Sequence, residues 1–380
     1  MQEVMHLEGF KDMILNRISI VNFKNIKAAD LELSPKMNCF IGLNGAGKTN
    51  FLDAVYYLSF CHGVSGSPDS QLIKHDEDFF MLEGNYDSSD KVQDVISCAM
   101  KKGRKKHFKR NGKDYRKLSQ HIGLIPLILI SPSDISLVIG GGEERRKFMD
   151  VAISQYDHTY LSALMRYDKA LQQRNALLRE EAEPDATLLD VLEDEMARQG
   201  NILFDKRDNF IERLIPVFQE IYQDISDCQE EISLKYVSHA REGDLLEILR
   251  SGRMRDRAVG HSLHGAHRDD LEMLIGGYPL KREGSQGQLK SFVLSLKLAQ
   301  FDFLRQKSDG IMPLLLLDDI FDKLDVCRVE RIVRLVSGRH FGQIFITDTN
   351  RDHLDGILRQ GDGDYRIFLV DNGNIVEKSE

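Results

Sequence analysis

The sequence lacks any hydrophobic run approaching the roughly 20 residues needed to cross a bilayer, although 42% of its 380 residues are hydrophobic. Residues 1–12 also lack the basic segment and the apolar segment of a secretory signal peptide. We therefore expect a cytoplasmic protein without a membrane partner. The chain is long enough for two domains with a substantial core.

Cysteine is scarce, and no two cysteines have the spacing of a metal or disulfide motif. The five cysteines are scattered and form no C-x-x-C pair, so neither a zinc site nor a disulfide framework is predicted. We expect reduced, mostly buried thiols. They are Cys39, Cys61, Cys98, Cys228 and Cys327.

An excess of positive charge is missing as well. The net charge is -9, which argues against a protein that coats nucleic acid indiscriminately. The distribution is uneven, however, because residues 101–117 contain ten Lys or Arg and one acid. Asn111-Gly112 within this segment is a type I′ turn signal, so the segment is predicted to be a basic hairpin.

The basic hairpin has two interpretations, and the pattern fits both equally. Its cations alternate with Phe108 and Tyr115, and a hairpin of this kind suits contact with the phosphate backbone of DNA. A solvated edge hairpin, whose lysines prevent aggregation, explains the same residues. The candidate DNA contacts are Lys105, Lys106, Lys109 and Arg110.

Residues 42–49 match the phosphate-binding pattern G-x-x-x-x-G-K-[ST]. Residues 37–41 before them suit a buried strand, and residues 49–60 have helical periodicity. This order directs backbone N–H groups and a helix N-terminus at nucleotide phosphates, with Lys48 at the β- and γ-phosphates and Thr49 on Mg²⁺. The predicted ATP-binding residues are Gly42, Leu43, Asn44, Gly45, Ala46, Gly47, Lys48, Thr49 and Asn50.

The rest of the chain is arranged around this loop. Residues 14–34 alternate and predict a hairpin that leads into the loop strand, after a loose N-terminal extension, or an upstream start, of residues 1–12. The segment from residue 143 to about residue 249 is mainly helical in its periodicity. We predict an α/β lobe interrupted by a helical lobe. The α/β lobe comprises residues 13–130 and 311–380, and the helical lobe comprises residues 131–310.

A second part of the nucleotide site is predicted at residues 313–319. An apolar run there ends in two acids, which is typical of a strand buried on both faces with carboxylates at its end, the Walker B form. Asp318 would hold Mg²⁺ together with Thr49, and Asp319 would polarise the attacking water. The catalytic candidates are therefore Lys48 and Asp319.

Residues 343–347 predict a further buried strand. Its end is where a sensor of the γ-phosphate belongs. Many ATP-binding-cassette proteins place a His there, which this sequence lacks. Thr347 or Thr349 takes that role, or the contact is absent.

Ser285, Gly287 and Gln288 open a long amphipathic helix over residues 289–305. Ser followed three residues later by Gln is a capping box, which explains both residues as ordinary helix-start chemistry. A capped N-terminus also presents hydroxyl and N–H donors to an anion, which suits the γ-phosphate of a nucleotide held by another subunit.

Several segments together resemble the bacterial RecF recombination-repair family, from about Met13 to the C-terminus. The segments around Arg174 and His267 are more specific than the ATPase motifs. All the segments that carry the resemblance are Phe23-Lys24-Asn25, Leu171-Gln172-Gln173-Arg174-Asn175-Ala176-Leu177-Leu178, Gly265-Ala266-His267-Arg268-Asp269-Asp270, the phosphate-binding loop with Asn50, residues 141–150, and Ser285-Gln286-Gly287-Gln288.

The resemblance implies an ABC-type P-loop ATPase head with a mixed sheet and an inserted helical signature lobe. In that family ATP is held between the phosphate-binding loop of one subunit and the signature of the other. ATP binding then drives dimerisation on single-/double-stranded DNA junctions, and slow, DNA-stimulated hydrolysis releases the protein. RecO and RecR are implied as partners that help load RecA at gaps, and Asp325 is implied as a dimer contact.

The sequence departs from the family pattern at three places. Residues 320–325 read Ile-Phe-Asp-Lys-Leu-Asp where Ser-Glu-Leu-Asp is expected at the end, and Ala266 replaces the usual Pro. No Gln of the Q-loop type stands near residues 131–134, so no role is assigned there. Two alternative functions are open. An ATPase subunit of a membrane transporter is expected to have a His as its γ-phosphate sensor, which is missing here. An ABC head joined to a nuclease needs a second cluster of acidic residues.

Overall fold

The computed structural model describes residues 11–88, 93–226, 230–308, 310–321, 326–337, 341–349 and 364–378. Its strands are β1 (Lys11–Phe23), β2 (Ile26–Glu32), β3 (Met37–Ile41), β4 (Phe79–Ser88), β5 (Gln93–Lys101), β6 (His107–Arg110), β7 (Lys113–Asp114), β8 (Leu127–Ile130), β9 (Ile232–Val237), β10 (Asp270–Ile275), β11 (Tyr278–Pro279), β12 (Ile311–Met312), β13 (Leu314–Asp318), β14 (Ile344–Asp348), β15 (Tyr365–Asp371) and β16 (Asn374–Glu377). Its α-helices are α1 (Lys48–Phe60), α2 (Ser136–Ile139), α3 (Gly142–Ser154), α4 (His158–Leu178), α5 (Ala186–Ser226), α6 (Leu245–Ser251), α7 (Arg253–Val259), α8 (Leu280–Glu283), α9 (Gln286–Lys307) and α10 (Val326–Ser337). Among the described helices, none is both long and apolar enough to cross a membrane.

The chain divides into two compact units. The sheet unit contains residues up to Asp134 and from Gln300 onward, and the helical unit contains Ile135–Ala299. The second division falls inside α9, which the sequence analysis assigned entirely to the helical lobe, because a continuous amphipathic pattern gives no sign of a boundary. Residues 11 and 12, expected in a loose extension, belong to β1 and pair with β12. Residues 1–10 lie outside the described residues.

A six-stranded sheet forms the centre of the sheet unit, in the order β16-β15-β3-β14-β13-β8. Its pairs are parallel except for the edge pair of β15 and β16. Every residue of β13 and β14 is buried, as expected for parallel strands covered on both faces. Helix α1 packs on this sheet, where Phe51 stacks on Phe40 with ring centroids 4.0 Å apart. The carboxyl ends of β3, β13 and β14 therefore emerge together at one edge.

The second sheet of this unit is mainly antiparallel and has the order β12-β1-β4-β5-β6-β7, with β2 paired to β1. The predicted hairpin of residues 14–34 is confirmed by the antiparallel pairing of β1 with β2. The hairpin at Asn111-Gly112 is confirmed as well, since β6 pairs with β7. Both turn residues have positive φ, 50° and 76°, as a type I′ turn requires.

The helical unit contains α2 to α8, the first part of α9 and a three-stranded sheet of order β11-β10-β9. Helix α4 ends at Leu178 and α5 begins at Ala186, with Pro184 in the segment between them. Helix α5 is a single helix of 41 residues. The small sheet was not predicted, because the alternation in β9 covers only six residues beside a much longer helical pattern.

Candidate functional site

The phosphate-binding loop joins β3 to α1 at the carboxyl edge of the parallel sheet. Gly47 has φ 119°, a left-handed conformation that strains any residue with a side chain. A Cβ at Gly47 would lie 2.8 Å from Asn25 Oδ1, and a Cβ at Gly42 would lie 2.2 Å from the Val370 carbonyl oxygen. Neighbouring atoms and backbone conformation therefore both demand glycine. Of the other predicted loop residues, Leu43, Asn44 and Gly45 are exposed and Ala46 is buried.

Lys48, the first residue of α1, folds its side chain back over this loop. Its ammonium donates hydrogen bonds to the carbonyls of Gly42 at 2.8 Å and Leu43 at 3.3 Å. The same nitrogen lies 3.6 Å from Asp319 Oδ2. The structure thus brings the two predicted catalytic residues together on one side of the loop.

Thr49 and Asp318 meet although they lie far apart in sequence. The Thr49 Oγ1 atom is 3.0 and 2.9 Å from the two carboxylate oxygens of Asp318. Hydroxyl and carboxylate oxygens are the hard ligands that Mg²⁺ takes from proteins, usually one or two of them beside phosphate oxygens. The pair is therefore suited to hold Mg²⁺, as the sequence predicts.

Asp319 leaves the end of β13 in an unusual backbone conformation, with φ 43°. Burial raises the pKa of its carboxyl, the nearby charges of Asp318 and Asp348 raise it further, and Lys48 opposes both effects. Perturbed carboxyl groups of this kind are typical of sites that handle protons. The side chain is 26% exposed, so water can reach it.

Thr347 does not suit the role of γ-phosphate sensor. Its side chain is fully buried, and its hydroxyl donates a hydrogen bond of 2.7 Å to Asp318 Oδ1. The Thr347 hydroxyl oxygen also accepts a hydrogen bond from the Asp319 N–H at 3.0 Å. Because the hydroxyl proton is already engaged, the sensor interpretation of Thr347 is corrected, and Thr349, which is exposed, is the candidate that stays.

The turn between β1 and β2 lies against the phosphate-binding loop. The Asn25 side-chain amide donates to the Ala46 carbonyl at 3.1 Å, and the Asn50 amide donates to Asn25 Oδ1 at 2.8 Å. Lys74 in turn donates to the Asn25 carbonyl at 3.1 Å. No role of its own is predicted for Asn25 from the sequence, because the only local signal is a polar residue between two strands.

The predicted signature residues begin α9 with a reciprocal capping box. The Ser285 N–H donates to Gln288 Oε1 at 2.6 Å, and the Gln288 N–H donates to Ser285 Oγ at 3.3 Å. The Gln288 side-chain amide also donates to Glu230 at 2.6 Å. Ser285 is exposed. Its hydroxyl oxygen accepts the cap bond, and its proton can still be donated to an anion.

Two of the four candidate DNA contacts are paired with acids of the sheet unit. Lys106 forms an ion pair of 2.8 Å with Asp69 and donates to the Cys61 carbonyl at 2.5 Å. Arg110 binds Asp94 with two hydrogen bonds of 2.8 and 2.7 Å. Both cations are engaged with acids of this unit, and their contact with DNA stays a prediction.

Lys105 and Lys109 are differently placed. Lys105 is exposed and Lys109 is half-buried. Neither forms an ion pair with any residue that the structure describes. Other cations of the hairpin are exposed too, namely Lys101, Lys102, Arg104, Lys113, Arg116 and Lys117.

The segments most specific for the resemblance each contribute a buried charged residue to the helical unit. Arg174 is fully buried and pairs with Glu193 at 2.9 Å and Asp256 at 2.7 Å. Asp269 is fully buried and pairs with Arg207 at 2.7 Å. Arg207 was missed in the sequence, because one arginine within a long helical pattern is usually a solvated one.

Three further residues complete the predicted set. Asn50 is half-buried beside Asn25, and Gly287 lies in the first turn of α9. Asp325, the implied dimer contact, lies outside the described residues.

Comparison with known proteins adds a family relationship. The family model described as the RecF/RecN/SMC N terminal domain matches residues 14–375. The DNA replication and repair protein RecF of Phocaeicola vulgatus is 56% identical and covers 97% of this chain and 99% of its own length. RecF of Bacteroides thetaiotaomicron is also 56% identical, over 96% of this chain and 99% of its own length.

Solved structures are similar as well. A structure of the recombination mediator protein RecF with ATP, from the RecFOR pathway, has a TM-score of 0.87 and 29% identity and covers 98% of this chain and 100% of that chain. An Smc head domain from Pyrococcus furiosus, with a TM-score of 0.56 and 17% identity over 97% of this chain and 96% of that chain, shares the fold alone.

Proposed function

The chain belongs to the RecF family of DNA replication and repair proteins and has the fold of an ABC-type P-loop ATPase head, and from this premise we propose that it is an ATP-dependent DNA-binding switch. ATP binding assembles a homodimer on junctions of single- and double-stranded DNA, and slow, DNA-stimulated hydrolysis releases it. RecO and RecR are its proposed partners in loading RecA at gaps, in the cytoplasm. The transporter and nuclease alternatives are set aside because DNA repair relatives match nearly the whole chain.

The observation that carries this proposal is the convergence of four side chains at one edge of the parallel sheet: Lys48, Thr49, Asp318 and Asp319. The loop N–H groups and the start of α1 bind the phosphates, and Lys48 neutralises charge on the β- and γ-phosphates. Thr49 and Asp318 would hold Mg²⁺, and the ion would supply positive charge that neutralises the phosphates.

Asp319 orients the water that attacks the γ-phosphorus. Its carboxylate accepts a hydrogen bond from that water, and the raised pKa of the group makes it a better proton acceptor than an ordinary aspartate. Lys48, 3.6 Å away, keeps the carboxylate directed at the loop.

The signature is proposed to complete the site of a second copy of the chain. The exposed Ser285 hydroxyl and the N–H groups of the first turn of α9 are donors for a γ-phosphate. Gly287 leaves room for the phosphate to approach the backbone. Gln288 is fixed by Glu230 and by the capping box, so its part is to hold the helix start.

DNA contact is proposed for those cations of the basic hairpin that form no ion pair with a described residue. Lys105 and Lys109 are the central candidates, since Lys106 and Arg110 are engaged with Asp69 and Asp94. Contacts of this kind bind the phosphate backbone and carry no sequence information. They therefore suit a protein that recognises a DNA structure.

Sedimentation velocity with ATP, with a non-hydrolysable analogue and with gapped DNA tests this proposal. We expect a monomer without nucleotide, a dimer with the analogue and a DNA-bound dimer when both are present. Lys48→Ala should abolish the nucleotide-dependent dimer, whereas Lys36→Ala, at the opposite end of β3, should leave it intact. A protein that remains monomeric with saturating analogue and gapped DNA would contradict the proposal.

A further inference from the structure

Thr347 lies directly beside the two acids of the nucleotide site. In the parallel pairing of β13 with β14, Asp318 is opposite Thr347. The Thr347 hydroxyl donates to Asp318 Oδ1 at 2.7 Å and accepts the Asp319 N–H at 3.0 Å. A single buried hydroxyl is thus bonded to two consecutive residues that carry different parts of the proposed chemistry.

The bond to Asp318 fixes the orientation of its carboxylate. Oδ1 is held by Thr347, while Thr49 Oγ1 lies 2.9 Å from Oδ2. A carboxylate that is bonded from behind has fewer orientations, which would favour the one that holds a metal ion together with Thr49. Within the part of the chain that the structure describes, Thr347 is the one side chain that bonds Asp318 from a neighbouring strand.

The bond to Asp319 acts on the backbone. Asp319 has φ 43°, a conformation that non-glycine residues rarely adopt and that needs support from its surroundings. Its N–H is directed at Thr347 and bonds both the hydroxyl at 3.0 Å and the carbonyl at 3.2 Å. This turn places the Asp319 carboxylate 3.6 Å from Lys48 Nζ.

We propose that Thr347 is a positioning residue that sets Asp318 for Mg²⁺ and Asp319 for the attacking water. The inference rests on the proposed function, since both acids acquire their roles there. Thr347 touches neither nucleotide nor water, because its side chain is fully buried. Its contribution is the geometry of the two residues that do.

Thr347→Val tests the inference, because valine keeps the branched shape and removes the hydroxyl. Thr347→Ser is the matched control, because serine keeps the hydroxyl. Two properties are measured: binding of a fluorescent non-hydrolysable ATP analogue as Mg²⁺ is titrated, and kcat and KM for ATP hydrolysis. In EDTA, which removes Mg²⁺, the affinity for the analogue depends on the phosphate-binding loop without the metal.

We expect Thr347→Val to need about tenfold more Mg²⁺ for half-maximal tight binding, the lower end of the effects seen when a group that orients a metal ligand is removed. Its kcat should fall by a similar factor with little change in KM, its binding in EDTA should match the wild type, and Thr347→Ser should restore both properties. If valine at this position does not fold, Thr347→Ala gives the same comparison without the added methyl group.

Two results would overturn the inference. One is a Thr347→Val protein with the Mg²⁺ dependence and kcat of the wild type. The other is a loss of affinity for the analogue in EDTA as well as in Mg²⁺, at unchanged Mg²⁺ dependence, which would return Thr347 to the sensor role. The proposed function fails separately, namely if the wild type itself shows no Mg²⁺-dependent binding of the analogue.

Discussion

Buried charges are used differently in the two units of this chain. In the helical unit, Arg207 donates to Asp150, Asp269 and the Ala266 carbonyl at 2.7–2.9 Å, so its guanidinium is engaged on all sides. In the sheet unit, Lys48 is equally buried, but its bonds go to two loop carbonyls, and its nearest described carboxylate oxygen is 3.6 Å away. A charge whose partners are complete stabilises a fold, whereas a charge held loosely at a sheet edge can bind a ligand.

The sequence motifs also divide into those that stabilise the fold and those that can bind a ligand. The segments most specific for the RecF family, around Arg174 and Asp269, supply the buried ion pairs of the helical unit. The motifs shared by many ATPases supply the side chains of the nucleotide site.

The largest expected effect contrasts Arg207 with Lys48. Arg207→Met leaves the carboxylate of Asp269 buried without its cation, which should lower the free energy of unfolding by about 3–5 kcal/mol. Lys48→Met should lower it by less than about 1 kcal/mol, although it removes ATP binding. Urea denaturation followed by circular dichroism measures both variants. Equal losses of stability would remove the distinction between the two units.

The next effect contrasts the two acids of the nucleotide site. Asp319→Asn should lower kcat for ATP hydrolysis by about 100-fold, because an amide is a poor proton acceptor, and should leave Mg²⁺-dependent binding of a non-hydrolysable analogue intact. Asp318→Asn should weaken that binding instead. Steady-state kinetics and a Mg²⁺ titration separate the two. Reversed phenotypes would exchange the assigned roles.

A smaller effect concerns buried histidines, which belong to the scaffold in both units. Burial lowers the pKa of His267 in the helical unit and of His121 in the sheet unit to about 4. An unfolded chain binds these protons near pH 6.5. The unfolded state therefore holds more protons between about pH 6.5 and about pH 4, and stability is lost as the pH falls through this window.

We expect each histidine to account for about 2 kcal/mol of that loss at about pH 4.5. The free energy of unfolding of the His267→Gln and His121→Gln variants is measured by denaturation at about pH 7 and about pH 4.5. Between these two pH values, each variant should lose less stability than the wild type. Profiles as steep as that of the wild type would assign the pH dependence to other groups.

The smallest expected effect tests the basic hairpin. Replacing both Lys105 and Lys109 by Gln should reduce the slope of log Kd against log salt for DNA by about 2, because about 0.9 counterions are released per phosphate contact. The control is Lys106→Gln, which loses the ion pair with Asp69 and should keep the slope. An unchanged slope in the double variant would favour the solvated edge hairpin.

Much of the sheet unit could be predicted from local patterns. The strand at residues 37–41, helix α1, the Asn111-Gly112 turn and the apolar strand before Asp318 each have a signal within a few residues. The structure adds pairings between distant segments, such as Asn25 with the phosphate-binding loop and Thr347 with Asp318. No periodicity encodes these contacts, because they depend on which strands become neighbours.

The helical unit was harder to predict for a related reason. Its helices are amphipathic and visible, but its small sheet is made of short strands far apart in the chain, β9 and β10. The role of each arginine could not be read from the sequence either. A buried arginine such as Arg207 and a solvated one have the same local pattern, and only the fold separates them.

The central claim is that each nucleotide site is completed by a second copy of the chain. Sedimentation velocity with a non-hydrolysable ATP analogue tests it on Lys48→Ala, on Ser285→Arg and on an equimolar mixture of the two, with Ser251→Arg as a control for an added arginine. We predict that each variant alone stays monomeric and that the mixture forms dimers, because one of its two shared sites combines an intact loop with an intact signature. A Ser285→Arg protein that dimerises alone as well as the wild type would contradict the claim.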